Sequence, residues 1–149
     1  LHQLKYEGNK DAGFFLGQQL GESIKETELF QRIDYIIPIP LHPKKEHIRG
    51  YNQSHVIAQG VEDVTEIPIM KDCLYRKVFT STQTKKSREE RWNNVKDIFD
   101  IKNGERLKGQ HVLLIDDVLT TGATLMAAGK TLSQIPDIKI SVATAACAS

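Results

Sequence analysis

Val112-Leu113-Leu114-Ile115-Asp116-Asp117-Val118-Leu119-Thr120-Thr121-Gly122-Ala123-Thr124 joins an apolar run, two adjacent carboxylates and a small-residue turn in one unbroken stretch. The consecutive apolar residues Val112 to Ile115 show no alternation. That pattern is the mark of a strand covered on both faces, as in the centre of a parallel sheet. Asp116 and Asp117 are expected to end the strand where the sheet meets solvent. Beyond them, Thr120, Thr121, Gly122 and Thr124 offer hydroxyls and unobstructed backbone N–H groups. Leu125, Ala128, Gly129, Leu132 and Ile135 then recur at helical spacing. A helix N-terminus at this turn would favour an anion by roughly 0.3–1 kcal/mol. Carboxylates accept hydrogen bonds from vicinal hydroxyls and repel a phosphate. The pattern therefore asks for a ligand carrying a sugar diol beside a phosphate.

Around this stretch the chain alternates extended and helical signals. Asp11 is expected to open a helix with Leu16, Leu20 and Ile24 on one face and Gly13, Gly17 and Gly21 leaving room for close packing. Asp34 to Pro40 is a short buried strand stopped by two prolines, which remove ladder donors, and the chain turns into a loop there. From Asn52 onward Ile57, Gly60, Val61 and Val64 mark a second helix. Ile67 to Met70 and Cys73 to Tyr75 are extended. Ile98 to Ile101 is a short strand, 102–105 is a turn, and Ile138 to Ala143 alternate as a last strand. Strands separated by helices imply an α/β fold, a doubly wound, mainly parallel sheet of about five strands. Its ligand crevice would lie beyond the carboxyl ends of the strands, where strand order reverses. The Pro40 loop and the Asp117 loop both follow strands, so they are expected to face each other across that crevice.

The 149 residues, 40% hydrophobic and 26% charged, suit one globular domain able to bury about two thirds of its unfolded surface. A formal net charge of +1 leaves no overall demand for nucleic acid or membrane. No apolar run reaches the length of a membrane span, and Leu1 to Lys5 has no signal-peptide core, so a soluble cytoplasmic location is expected. The chain starts without Met, which suggests an upstream segment absent from it. Cys73 and Cys147 belong to no CxxC pair and are expected to be two reduced, buried thiols.

The motif resembles the phosphoribosyl pyrophosphate (PRPP) signature of type I phosphoribosyltransferases. The resemblance implies that Asp116 and Asp117 hold the ribose hydroxyls, and that Thr120, Thr121, Gly122, Ala123 and Thr124 hold the 5′-phosphate. The segment Pro38-Ile39-Pro40-Leu41-His42-Pro43-Lys44-Lys45-Glu46-His47-Ile48-Arg49-Gly50-Tyr51-Asn52-Gln53 is similar to the ComF/GntX branch of that family, and so is the opening Leu1-His2-Gln3-Leu4-Lys5-Tyr6-Glu7-Gly8. By this resemblance Leu41, His42, Pro43, Lys44 and Lys45 bind pyrophosphate, with Arg49 as a further partner. For the two lysines, a solvated basic loop is the competing reading. The same family implies a small hood over the sheet, here built from the first residues and the Ile98 to Ile101 region.

Arg76 to Asn94 has almost no apolar content, too polar for core and too long for a tight turn. Its Thr80-x-x-Gln83 and Arg91-x-x-Asn94-Val95 resemble the ComF-type flexible loop, although Lys86 stands where that pattern usually has Leu. A cationic lid at about 78–95 would bring Lys85, Arg88 and Arg91 to the reaction with Asp116 and Asp117. A charged surface helix from Ser87 to Lys96 is the competing reading.

The resemblance implies transfer of phosphoribose from PRPP to a nitrogen acceptor with release of pyrophosphate. Mg²⁺ would bridge the diphosphate, reached by Asp116 or Asp117 directly or through water. A second reading is a non-catalytic PRPP- or nucleotide-binding protein in DNA uptake or regulation. Full amidophosphoribosyltransferase activity would need a glutaminase domain and an N-terminal Cys nucleophile, which these residues lack. The implied partners are PRPP, single-stranded DNA or the competence machinery, and a second copy of the chain. Tyr51 and Trp92 are the candidates for stacking on bases.

Overall fold

The computed structural model describes residues 9–77 and 98–148. The opening octapeptide and residues 78–97, with Lys85, Arg88, Arg91 and Trp92, lie outside the described residues. The motif strand is β4, His111–Leu119, the middle of a three-stranded parallel sheet between β1, Tyr35–Pro38, and β5, Lys139–Cys147. Val112 and Leu114 turn into one apolar cluster, with Leu125, Ala128 and Leu132. Leu113 and Ile115 turn into another, with Ile57, Ala58 and Val61. Both faces of the strand are thus covered, which is why the run shows no polar alternation.

Among the described residues five strands form, but two of them leave the main sheet. β2, Leu74–Arg76, and β3, Phe99–Ile101, pair antiparallel as a separate ribbon. The expected extended segment at Ile67 to Met70 reduces to one parallel bridge, Ile36 to Ile69, on the free side of β1. There Ile36 N–H donates to Pro68 O and Met70 N–H donates to Ile36 O. Proline at 68 and the brevity of β1 leave no room for a longer ladder. The spatial order is therefore the bridge segment, β1, β4, β5, so chain order reverses between β1 and β4.

Helix α1, Lys10–Lys25, and helix α3, Gln53–Thr65, cover one face. Asn9 is the N-cap of α1, its side chain accepting from Ala12 N–H at 3.0 Å, with Asp11 inside the first turn. The glycines of α1 meet α3 backbone to backbone. A β-carbon at Gly17 would strike the Ile57 carbonyl, and one at Gly60 would strike Phe14 O. Helix α4, Ala123–Leu132, and the ribbon cover the other face. Between β1 and α3 the sequence reading places a loop, but Pro43–Arg49 form a helix, α2. Pro43 occupies the first turn, His42 Nδ1 accepts from Lys44 N–H at 3.2 Å, and Gly50 at φ 83° closes the helix in the left-handed region. Cys73 is buried as expected, whereas Cys147 is exposed at the end of the edge strand. No helix among the described residues is long and apolar enough to cross a membrane.

Candidate functional site

The two aspartates do not end their strand. β4 runs on to Leu119, with Asp116 paired to Thr144 and Leu119 to Cys147 on β5. β1 stops earlier: its last ladder bond is Ile39 N–H to Ile115 O at 2.9 Å, and Pro40 has no donor with which to continue. Asp116 and Asp117 are thus held on a strand whose other neighbour has just departed. The gap left by β1 is a crevice of about 240 Å³ at the point where strand order reverses.

One wall of the crevice is the acid pair with Val118, Thr120 and Thr124; the other is Ile39, Pro40, Leu41 and the first turn of α3, Asn52, Gln53 and Ser54. Arg49 and Arg76 also line it. Asn52 caps α3 through its side-chain oxygen, which accepts from Ser54 N–H at 3.1 Å, and its amide donates to Ile39 O at 3.0 Å. Ser54 Oγ donates to Asp116 Oδ1 at 3.2 Å. Asp116 Oδ1 also accepts from Asp117 N–H at 2.9 Å, and Asp117 Oδ1 accepts from Val118 N–H at 2.8 Å. Burial, reinforced by the neighbouring Asp117 carboxylate, pushes the Asp116 carboxyl up to about 6. Burial likewise lowers the pKa of Arg76, against the pull of the Asp116 charge.

Beside the acids, a small recess lined by Asp116, Thr120, Gly122, Ala123 and Thr124 opens at the N-terminus of α4. Gly122 stands there at φ 81°, a conformation in which a side chain would be strained. Thr121 lines neither space; its hydroxyl accepts from Ala123 N–H at 3.3 Å and shapes the turn. Of the residues expected at pyrophosphate, Leu41 and Arg49 line the crevice. Pro43 lines an adjoining cavity of about 550 Å³ that shares Pro40, Leu41, Asn52 and Arg76 with it. Lys44 and Lys45 are exposed on α2, and His42 is half-buried; none of the three lines either space. Tyr51 is only 9% exposed, with the Lys10 ammonium 5.4 Å from its ring centroid, so it presents no free face for stacking. Lys85, Arg88 and Arg91 fall outside the described residues.

Arg76, Gln53 and Ser54 are site residues that the sequence reading assigned no role. Arg76 comes from β2 and stacks its guanidinium 5.1 Å from the Phe99 ring centroid, its cross-strand partner. The signal for the other two was a polar triplet, Asn52-Gln53-Ser54, at the head of an apolar helix. All three are buried, which a merely solvent-facing cap does not require. Among the described residues, no three His, Cys, Asp or Glu side chains form a metal-holding group. A cation at the acid pair would have to draw further ligands from a bound molecule.

The family model described as the phosphoribosyl transferase domain matches residues 55–146, from α3 through the acid pair to the end of β5. The chain belongs to that family. This phosphoribosyltransferase domain is 32% identical over 112 residues to Competence protein F of Haemophilus influenzae, covering 74% of this chain and 49% of the relative. It is 36% identical over 97 residues to Competence protein ComFC of Bacillus subtilis, 65% of this chain and 37% of the relative. Against DNA utilization protein YhgH of Escherichia coli O157:H7 the identity is 29% over 128 residues, 84% and 56%. The domain is thus ComF-like, and it spans about half the length of these relatives or less. Among solved structures, glutamine PRPP amidotransferase from B. subtilis, complexed with ADP and GMP, superposes with a TM-score of 0.64 at 19% identity, covering 91% of this chain and 26% of that one. An adenine phosphoribosyltransferase gives 0.52 at 17%, covering 88% and 64%. These likenesses establish the type I phosphoribosyltransferase fold.

Proposed function

We propose that the crevice binds PRPP and that the domain transfers its phosphoribosyl group to a nitrogen acceptor with release of pyrophosphate. The observation that carries this reading is the acid pair on β4, facing a donor-rich wall across the gap that β1 leaves. Asp116 and Asp117 would accept from the ribose hydroxyls. The N-terminus of α4 would take the 5′-phosphate, where dipole and N–H groups favour an anion. The diphosphate would then extend toward Leu41, the first turn of α3, Arg49 and Arg76. As the acceptor nitrogen bonds to C1, the C1–O bond to diphosphate breaks and the oxygen leaves with its electron pair, while the nitrogen loses a proton. Positive charge builds on the ribose next to Asp116 and Asp117, which stabilise it. Mg²⁺, when bound with the diphosphate, would neutralise charge on the leaving group. The proposed lid cations Lys85, Arg88 and Arg91 would act on the same group.

A second reading is PRPP or nucleotide binding without turnover, serving DNA uptake. The names of the relatives, two competence proteins and a DNA utilization protein, favour it. One experiment decides between the two. PRPP and Mg²⁺ are incubated with the protein and a panel of purine and pyrimidine bases, amines and ammonia, and pyrophosphate is measured. Release with one acceptor establishes the transferase. Calorimetric binding of PRPP with no release for any acceptor establishes the binding protein. Undiminished PRPP binding by the Asp116→Asn, Asp117→Asn double variant would overturn the site assignment itself.

A further inference from the structure

We propose that Gln53 recognises the diphosphate of PRPP and makes the crevice select PRPP over ribose 5-phosphate; the inference rests on the crevice being a PRPP site. Three consecutive residues open α3, and the outer two are already engaged. Asn52 ties the helix to the end of β1 through Ile39 O, and Ser54 ties it to β4 through Asp116. Gln53 stands between them, 3% exposed, and lines the crevice, yet its side-chain NH₂ has no hydrogen-bond partner among the described residues. A buried amide left unpaired is costly and rare in folded chains. Its retention at a cavity wall implies a partner that arrives from outside.

The chemistry of that partner follows from a second orphan group in the same crevice. Arg76 Nε is also buried without a partner, and a guanidinium can only donate. Two unsatisfied donors, on residues that line one space, call for a ligand rich in acceptors that a small side-chain adjustment would bring within reach. The first turn of α3, a helix of 13 residues, adds the positive end of a dipole, and Arg49 adds charge. Negative ligand charge therefore belongs at this wall, opposite the acids that would repel it. In PRPP, the group richest in acceptor oxygens and charge, beyond the diol and 5′-phosphate already placed, is the diphosphate. Arg49 and Arg76 would supply charge to it, while Gln53 supplies a neutral donor fixed by burial, which fills only when a phosphoryl oxygen is present.

The test compares PRPP with ribose 5-phosphate, each with Mg²⁺, by calorimetry on wild type, Gln53→Leu and Gln53→Glu. Removing the donor should weaken PRPP binding about tenfold or more, since a hydrogen bond to a charged acceptor is lost. The carboxylate of Gln53→Glu should weaken it further, and ribose 5-phosphate affinity should stay within about twofold of wild type. Equal losses for the two ligands, or no loss of PRPP affinity in Gln53→Leu, would overturn the role of Gln53 while leaving the PRPP reading intact. Wild type that fails to bind PRPP would overturn both. Gln53→Leu should melt no lower than wild type without ligand, because it removes an unpaired buried amide. Should it nevertheless misfold, Gln53→Met carries the same comparison at similar length.

Discussion

Ser54 Oγ donates to Asp116 Oδ1 across 3.2 Å, joining two residues 62 positions apart in sequence and fastening the first turn of α3 to the strand that carries the acids. This bond favours the ionised form of Asp116, against the burial that raises its pKa. Ser54→Ala should therefore move the Asp116 titration upward, read by carboxyl NMR. It should also weaken PRPP binding at pH 7 by several-fold, in line with the roughly 0.5–1.5 kcal/mol of a single hydrogen bond. An unchanged Asp116 titration would show that the bond is absent in solution.

Asp116 also predicts how stability responds to pH. Its folded-state pKa of about 6 lies above the ordinary 3.8, so between those values the folded protein binds a proton that the unfolded chain releases. The contribution is fully present below about pH 4 and is lost as pH rises through 6. With allowance for solvent screening it amounts to about 1–2 kcal/mol. Asp116→Asn should thus stabilise the ligand-free protein at pH 7.5 relative to wild type and converge with it toward pH 4. Urea unfolding across that range checks the sign; an equal difference at every pH would exclude this origin. PRPP binding should follow the opposite course, weakening as pH falls through 6.

Arg76, one of the residues lining the crevice, stands with its guanidinium against Phe99 and its Nε without a hydrogen-bond partner among the described residues. Arg76→Lys keeps the charge and loses the planar fork. It should bind PRPP about five- to tenfold more weakly while melting close to wild type. Measured affinity equal to wild type would place Arg76 outside the ligand's reach.

The close contact of α1 with α3 sets a different expectation. Gly60→Ala drives a β-carbon into the backbone of α1 and should cost about 1–3 kcal/mol. Gly129→Ala, in the middle of α4 with open space around the added carbon, should gain about 0.5–1 kcal/mol from helix propensity. Thermal melts of the two variants should move in opposite directions.

The sheet and the acids could be read from residues 112–124 because burial on both faces writes an unbroken apolar run, and a strand-to-helix turn writes small residues. The ends of the elements were harder. Nothing local shows that β4 continues through Asp116 and Asp117, since that extension depends on β5 remaining paired as far as Cys147. Helix α2 escaped notice because seven residues with four basic side chains, His47 included, look like a solvated loop until Pro43 and Gly50 are recognised as its two ends. Arg76 escaped because its position depends on a cross-strand partner 23 residues away, beyond a polar stretch. The expectation that Lys44 and Lys45 approach the ligand came from the family resemblance and from their charge, neither of which says which way a helix turns.

The departure of β1 at Pro40, while β5 stays paired with β4 as far as Leu119, leaves the acid pair on a projecting stretch of strand braced from one side only. Under the proposed function, a carboxylate clamp mounted on a braced strand would need little ordering when a sugar arrives. Changes in the ribbon would then alter what approaches the sugar without disturbing the strand that carries the acids. On the proposed reading, a domain built this way could exchange one acceptor for another, or lose its acceptor altogether, and still hold the same ligand.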